Sequence, residues 1–281
     1  MAITLMRSAR ARGWVALAGL LVVGVAILWG LVIFVWSVLA GTGPDSRASG
    51  RTAVTPNIIA SASPSPSTST SASAEVALKA AKNALAAKPM LQIAPADALP
   101  QPIAASTAGT PLTLPKATDT TGLIPTGYPH TPQGAVAQLA AIDALAMKDL
   151  NPSNPRKAYD WAVMPGAVPF AQWTPQVGAS AILTSAGAPD GSTQLTSTWT
   201  LTHAQIKGVL DDGNFVVACV LGEFDANYRS TVRAGIGDCQ RMVWQGGRWW
   251  IGPGEQPAFA PSTWPGSADC VRAGWREARN A

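Results

Sequence analysis

The 281-residue sequence is poor in the side chains that build most catalytic and metal sites. It has two histidines, three cysteines and three tyrosines, and no Cys or His pair has the close spacing of metal ligands. It contains no glycine-rich phosphate loop and no nucleophile set on a strand-to-helix turn. We therefore expect no enzymatic activity, no cofactor and no bound metal.

Charged side chains are also sparse, at 13% of the residues, whereas about 25% is typical of a soluble domain. Arg7, Arg10 and Arg12 supply most of the formal net charge of +4, and the rest of the chain is close to neutral. A nucleic-acid-binding protein concentrates Lys and Arg on one face. No such concentration is present, so we expect no direct contact with nucleic acid.

An uncharged stretch runs from Gly13 to Pro44 and consists mostly of Val, Leu, Ile, Ala, Gly and Trp. A helix of about 20 apolar residues crosses the hydrocarbon core of a bilayer. We predict a transmembrane helix at 13–41 after a stub at 1–12. A cleaved secretory signal is the alternative, but the apolar region of such signals is usually only about 7–15 residues long.

The charges beside the apolar stretch predict its orientation. Three arginines precede it and Asp45 is the first charge after it. Positive residues beside a first span are retained in the cytoplasm. We therefore expect a single-pass protein of the cell membrane, with a cytoplasmic N-terminus and an extracellular C-terminal domain.

The segment 42–125 is rich in Ala, Ser, Thr and Pro, and this composition buries too little apolar surface to offset the entropy of ordering. We predict a disordered, stiffened linker. Within this linker, the Ala-rich piece Glu75–Lys88 is an exception, for which we predict either a transient helix or a short coiled-coil contact.

The region 126–281 has the pattern of an α+β domain. Thr131 and Pro132 predict a helix start, with an apolar stripe from Gly134 to Leu150, and a second helix follows from Asn154 to Ala162. Strands are predicted at Gln194–Leu210, Phe215–Phe224 and Ala234–Gln245, and a terminal helix at Ser267–Arg279. We expect short helices in the hollow of a curved antiparallel sheet.

Two hairpins are predicted in the strand half. Gly246 and Gly247 form a tight turn that places Trp244 opposite Trp249. A hairpin centred on Arg229 places Cys219 directly opposite Cys239, which makes them the candidates for a disulfide. Pairing of Cys239 with Cys270, or three reduced cysteines, are the alternatives.

The remaining polar residues have structural explanations. We expect His130 to pack or cap beside Thr131, His203 to lie on a strand wall, and Asp211 and Asp212 to form a turn. Eight tryptophans lie beyond the apolar stretch. We expect a core position for Trp161, Trp199 and Trp249, and we predict Trp264 and Trp275 as interface candidates because Trp is enriched in interface hot spots.

Three segments carry a resemblance to a known family: GYPHTPQGAVAQLAA (Gly127–Ala141), RMVWQGGRWWIGPG (Arg241–Gly254) and APSTWPGSADCVRAGW (Ala260–Trp275). With the anchor and the Ser/Thr/Pro linker before them, they resemble an actinobacterial family of integral membrane proteins that accompany integrative conjugative elements. More distantly, the chain is similar to the TcpC and VirB-type assembly factors of conjugation. The resemblance implies a ketosteroid-isomerase-like (nuclear transport factor 2-like) cone.

Three functions follow as hypotheses. The first is a bitopic scaffold of a conjugative transfer apparatus, similar to type IV secretion, that binds other apparatus proteins and forms homo-oligomers. The alternative is an accessory membrane protein similar to the Mce-associated proteins, which would bind a lipid or another apolar ligand. A hydrolase or isomerase built on the cone is the third hypothesis.

Overall fold

The structure is a computed structural model that describes residues 67–189, 192 and 194–281. The predicted stub, the transmembrane helix and the first part of the linker lie outside the described residues. None of the helices in these ranges combines the length and the hydropathy that crossing a bilayer requires.

The described part of the chain has short helices and a set of strands of unequal length. The helices are α1 (Ser67–Ala87), α2 (Pro132–Ala146), α3 (Ser153–Ala162), α4 (Thr174–Ala186) and α5 (Ala268–Arg272). The strands are β1 (Leu112–Leu114), β2 (Thr196–Leu210), β3 (Phe215–Tyr228), β4 (Ser230–Gln245), β5 (Arg248–Ile251) and β6 (Arg276–Asn280).

These strands form one curled sheet in the order β1-β6-β2-β3-β4-β5. Strands β1 and β6 are parallel, and the other neighbours are antiparallel. The α+β class and the curled sheet with short helices are therefore confirmed.

Helix α2 begins as predicted. The Thr131 hydroxyl accepts a hydrogen bond from the Gly134 amide at 3.1 Å, and Pro132 occupies the first turn. The helix ends at Ala146, earlier than predicted, because Asp149 and Leu150 adopt positive φ values that a helix does not accommodate.

Both predicted hairpins are confirmed. Strands β3 and β4 join at Arg229, so that Cys219 pairs with Cys239. Gly246 and Gly247 have φ values of 61° and 81°, and Trp244 pairs with Trp249 across the turn, with their rings 5.3 Å apart. The glycines are required there because side chains disfavour positive φ.

Strand β3 is covered on both faces, as its nearly continuous apolar sequence predicts. Val216, Ala218 and Val220 pack with α2 in the main core. The opposite face has its own clusters, in which Phe215 and Val217 meet Ala86 of α1. Farther along that face, Cys219 and Leu221 pack with Cys239, Cys270 and Trp275.

The linker prediction differs from the structure within 67–125. Leu112 and Leu114 of β1 are buried, and β1 pairs with β6. Helix α1 docks by its C-terminal end, where Lys207 Nζ donates to the Ala86 carbonyl at 2.9 Å. The prediction was based on the average composition of the whole segment, so it missed these few apolar residues. They add β1 to the sheet and cover part of its outer face.

The C-terminal segment is a second correction. We predicted one helix over Ser267–Arg279, but α5 ends at Arg272 and Gly274 turns the chain with a φ of 81°. Strand β6 follows and pairs with both β1 and β2. Helix α4 was not predicted at all.

Candidate functional site

The predicted disulfide Cys219–Cys239 is present, and it joins directly opposed residues of β3 and β4. Cys270 is a buried free thiol in the same cluster. Burial raises the pKa of this thiol above its ordinary value. The disulfide braces the outer face of the sheet.

The two predicted interface tryptophans are both buried, which does not fit a role on the surface. Trp275 is 1% exposed, packs against Gly237, and donates its indole N–H to the Pro261 carbonyl at 3.0 Å. Trp264 is 8% exposed and lies under the guanidinium of Arg233. Both indoles are buried, and both pack the C-terminal segment against residues of β4.

A different group of aromatic residues is accessible, at the β5 edge of the sheet. The Arg248 guanidinium lies 4.0 Å from the ring centre of Trp161 and 3.3 Å from that of Trp250. Both indoles are only partly buried. Lys157 lies one helical turn before Trp161 on α3 and is exposed. We call Lys157, Trp161, Arg248 and Trp250 the Trp–Arg surface.

Hydrogen bonds and stacking support the side chains of the Trp–Arg surface. Arg248 Nη2 donates to the Trp161 carbonyl at 2.7 Å, and the Trp250 indole donates to the Gln245 carbonyl at 3.0 Å. Behind the hairpin, His130 stacks on Trp244 with ring centres 4.8 Å apart, as the packing role predicted for it requires. These contacts pre-organise the guanidinium and both indoles.

Arg248 and Lys157 form no ion pair with any other described residue. Burial lowers the pKa of Arg248, and no carboxylate in the described ranges opposes that effect. Its Nε is buried without a hydrogen-bond partner in the described part of the chain. The Trp–Arg surface thus carries positive charge that the described residues do not balance.

A second polar feature lies inside the core. Asp143 of α2 and Asp238 of β4 are 2% and 5% exposed and interact electrostatically with each other. Gln240 donates to both oxygens of Asp238, at 3.1 and 2.8 Å. Asp143 Oδ1 has no hydrogen-bond partner among the described residues.

The surroundings of this pair favour protonated carboxyl groups. Burial raises the pKa of Asp238 to about 6, while hydrogen bonds from Gln240 and the Cys239 amide lower it. Burial and the neighbouring Asp238 raise the pKa of Asp143 well above its ordinary value. The clefts beside α4, lined by Leu183 among others, do not include either carboxylate. The pair can hold a proton.

Neither of these features was predicted, although the sequence contains a signal for each. Asp143 lies on the apolar stripe of its helix, four residues after Leu139. Asp238 lies on the same strand face as Met242. In the RWW sequence Arg248 precedes two tryptophans, but its contact with Trp161 could not be predicted, because Trp161 lies on a helix distant in the sequence.

Comparison with protein-family models, with curated proteins and with solved structures finds no match for this chain.

Proposed function

We propose that this protein is a bitopic membrane scaffold of a conjugative transfer apparatus, and that its C-terminal domain acts outside the cell by binding other apparatus proteins. The observation that carries the proposal is the Trp–Arg surface. Trp and Arg are among the residues most enriched in binding hot spots, and here they are partly accessible and held by hydrogen bonds and stacking. Rigid side chains lose little entropy when a partner binds.

An exported position for the domain has two supports. The apolar stretch Gly13–Pro44 follows three arginines in the sequence, an arrangement typical of an N-in anchor. The Cys219–Cys239 disulfide suits an oxidising compartment. For the fold, we propose the ketosteroid-isomerase-like cone, because α2 packs against one face of a curled antiparallel sheet.

The test is site-specific photo-crosslinking in cells that carry the conjugative element. A photoreactive residue at Trp250 should crosslink to another protein of the apparatus, and the same residue at the exposed Leu123 should not. Arg248→Ala should reduce the transfer frequency, whereas Arg229→Ala should not. Equal crosslinking at both positions, or unchanged transfer, would contradict the proposal.

The Mce-associated alternative has less support. A lipid tail in the hollow of the sheet would meet Asp143 and Asp238, and contact between apolar groups and buried carboxyl groups is unfavourable. No described feature favours an apolar ligand over a protein partner.

A further inference from the structure

The Trp–Arg surface has a charge that the described chain does not satisfy. Arg248 is fixed between two indoles, and its Nη1 makes no hydrogen bond to a described residue. Some other surface cations have acidic partners: Arg156 pairs with Asp160 at 2.8 Å, and Arg272 with Asp269 at 2.6 Å. Arg248 and Lys157 have no acidic partner among the described residues. They differ from other unpaired cations in their position at Trp161, where Arg248 stacks on the ring and Lys157 lies one helical turn away along α3.

A fixed arginine of this kind favours an anion with a matching shape. The guanidinium is planar, and it binds a carboxylate through charge-assisted hydrogen bonds. The indoles on either side exclude water from the guanidinium, which strengthens such bonds. Lys157 adds a second positive charge about one helical turn away along α3.

We propose that the Trp–Arg surface binds an acidic segment, with Asp or Glu side chains, of a partner protein. The proposal rests on the proposed function for its context and deepens it, because it specifies the chemistry of the partner. One carboxylate binds Arg248 between the two indoles, and a neighbouring carboxylate binds Lys157.

An anionic membrane is a less suitable occupant. Attachment to a lipid surface requires a larger basic cluster or apolar groups that insert into the bilayer. The surface has two unpaired cations, and its indoles are partly buried rather than projecting. Its geometry suits individual carboxylates.

The experiment uses the full chain in nanodiscs of neutral phosphatidylcholine. Binding of fluorescein-labelled hexaglutamate is measured by fluorescence anisotropy, with hexaglutamine as the uncharged probe. Arg248→Gln should weaken hexaglutamate binding by about tenfold or more. Arg248→Lys should restore only part of it, because lysine keeps the charge but lacks the planar group.

The matched control is Arg229→Gln. Arg229 is also a cation stacked on an aromatic ring, 4.9 Å from the centre of Tyr228, but it lies at the β3–β4 hairpin. This variant should bind hexaglutamate like the wild type. Near-ultraviolet circular dichroism checks that the Arg248 variants keep the wild-type packing of their tryptophans.

Equal weakening by Arg248→Gln and Arg229→Gln would overturn the proposal, as would the absence of hexaglutamate binding to the wild type. Arg248-dependent binding to phosphatidylglycerol vesicles without hexaglutamate binding would favour a membrane and would also overturn it. Specific hexaglutamate binding together with unchanged conjugative transfer in the Arg248 variant would uphold the acidic-segment site and contradict the proposed function.

Discussion

The buried carboxylates Asp143 and Asp238 make the stability of the domain depend on pH. An unfolded aspartate has a pKa of about 3.9, whereas burial raises the pKa of Asp238 to about 6 and that of Asp143 well above its ordinary value. Between these values the folded state binds more protons than the unfolded state. The free energy of unfolding therefore falls as the pH rises from about 4 through 6 and beyond.

We predict that Asp143→Asn raises the free energy of unfolding at pH 8 by about 1–3 kcal/mol, because it removes the cost of ionising a buried pair. The gain should shrink toward pH 4, where the folded carboxyl groups are protonated and the unfolded ones, with a pKa of about 3.9, are about half protonated. Thermal unfolding of the full chain between pH 4 and 8 measures the difference.

The control for this prediction is Asp160→Asn. Asp160 is exposed and pairs with Arg156 on the surface of α3, so its replacement should change stability by less than about 1 kcal/mol at any pH. A loss of stability in Asp143→Asn at pH 8, or a gain of equal size at pH 4, would contradict the account of the pair.

The disulfide acts between residues that are 20 apart in the sequence. Cross-linking a loop of this length restricts the unfolded chain and stabilises the folded state by about 3 kcal/mol. We predict that replacing Cys219 and Cys239 by alanine lowers the free energy of unfolding by about this amount in urea titrations.

Cys270→Ala is the comparison for the disulfide variant, since Cys270 lies in the same buried cluster but has no covalent partner. Its loss removes one buried sulfur and should cost about 1 kcal/mol. Equal costs for both variants would mean that burial, and not the cross-link, carries the stabilisation.

At the scale of elements, helix α1 depends on its docked end. Residues 72–77 are exposed, whereas Ala86 is 2% exposed and packs with Phe215 and Val217. The N-terminal part of α1 is rich in Ser and Thr, which are poorer helix formers than Ala, and helical segments shorter than about 12–15 residues are marginal in water on their own. Contacts of the last two turns, including the 2.6 Å ion pair between Lys82 and Asp211, therefore hold it in place.

We predict that Ala86→Glu undocks α1, because it places a carboxylate against the apolar outer face of β3 at a cost of about 1–3 kcal/mol. Trypsin should then cleave faster at Lys82. Ala81→Glu, on the exposed side of the same helix, should leave the cleavage rate unchanged. Equal rates in the two variants would show that Ala86 does not hold the helix.

The elements that could be predicted are those whose signals are local. The Thr131 cap, the Gly246–Gly247 turn and the alternation of β2 each lie within a few residues, and the structure confirms them. The order of α1 and β1 could not be predicted, because their stability comes from distant partners on the sheet. Helix α4 was not predicted because its sequence lacks a clear apolar period.

The candidate site shows the same limit. From the sequence we expected tryptophans to form an interface, but we chose Trp264 and Trp275, which are buried in the fold. Exposure depends on which segments cover a side chain, and those segments are distant in the sequence. The Trp–Arg surface forms because α3 ends beside β5, where the chain after Trp161 pairs with Ile251.

At the scale of the whole molecule, the proposed topology links the N-terminal charges to the state of the distant cysteines. If the anchor keeps its arginine side in the cytoplasm, the domain folds outside and the disulfide forms there. An inverted chain would instead place the domain in a reducing compartment.

We predict that replacing Arg7, Arg10 and Arg12 by glutamate inverts part of the population and leaves Cys219 and Cys239 reduced in it. Thiols trapped in cells by acid and labelled with polyethylene glycol-maleimide should number one per wild-type chain, from Cys270, and three in the inverted chains. Lys79, Lys88 and Lys116, replaced together by glutamate, make the same charge change far from the apolar stretch and should keep the wild-type pattern. Three reactive thiols in the wild type, or an intact disulfide in every chain of the arginine variant, would contradict the proposed topology, because compartment and orientation would then be independent of the flanking charge.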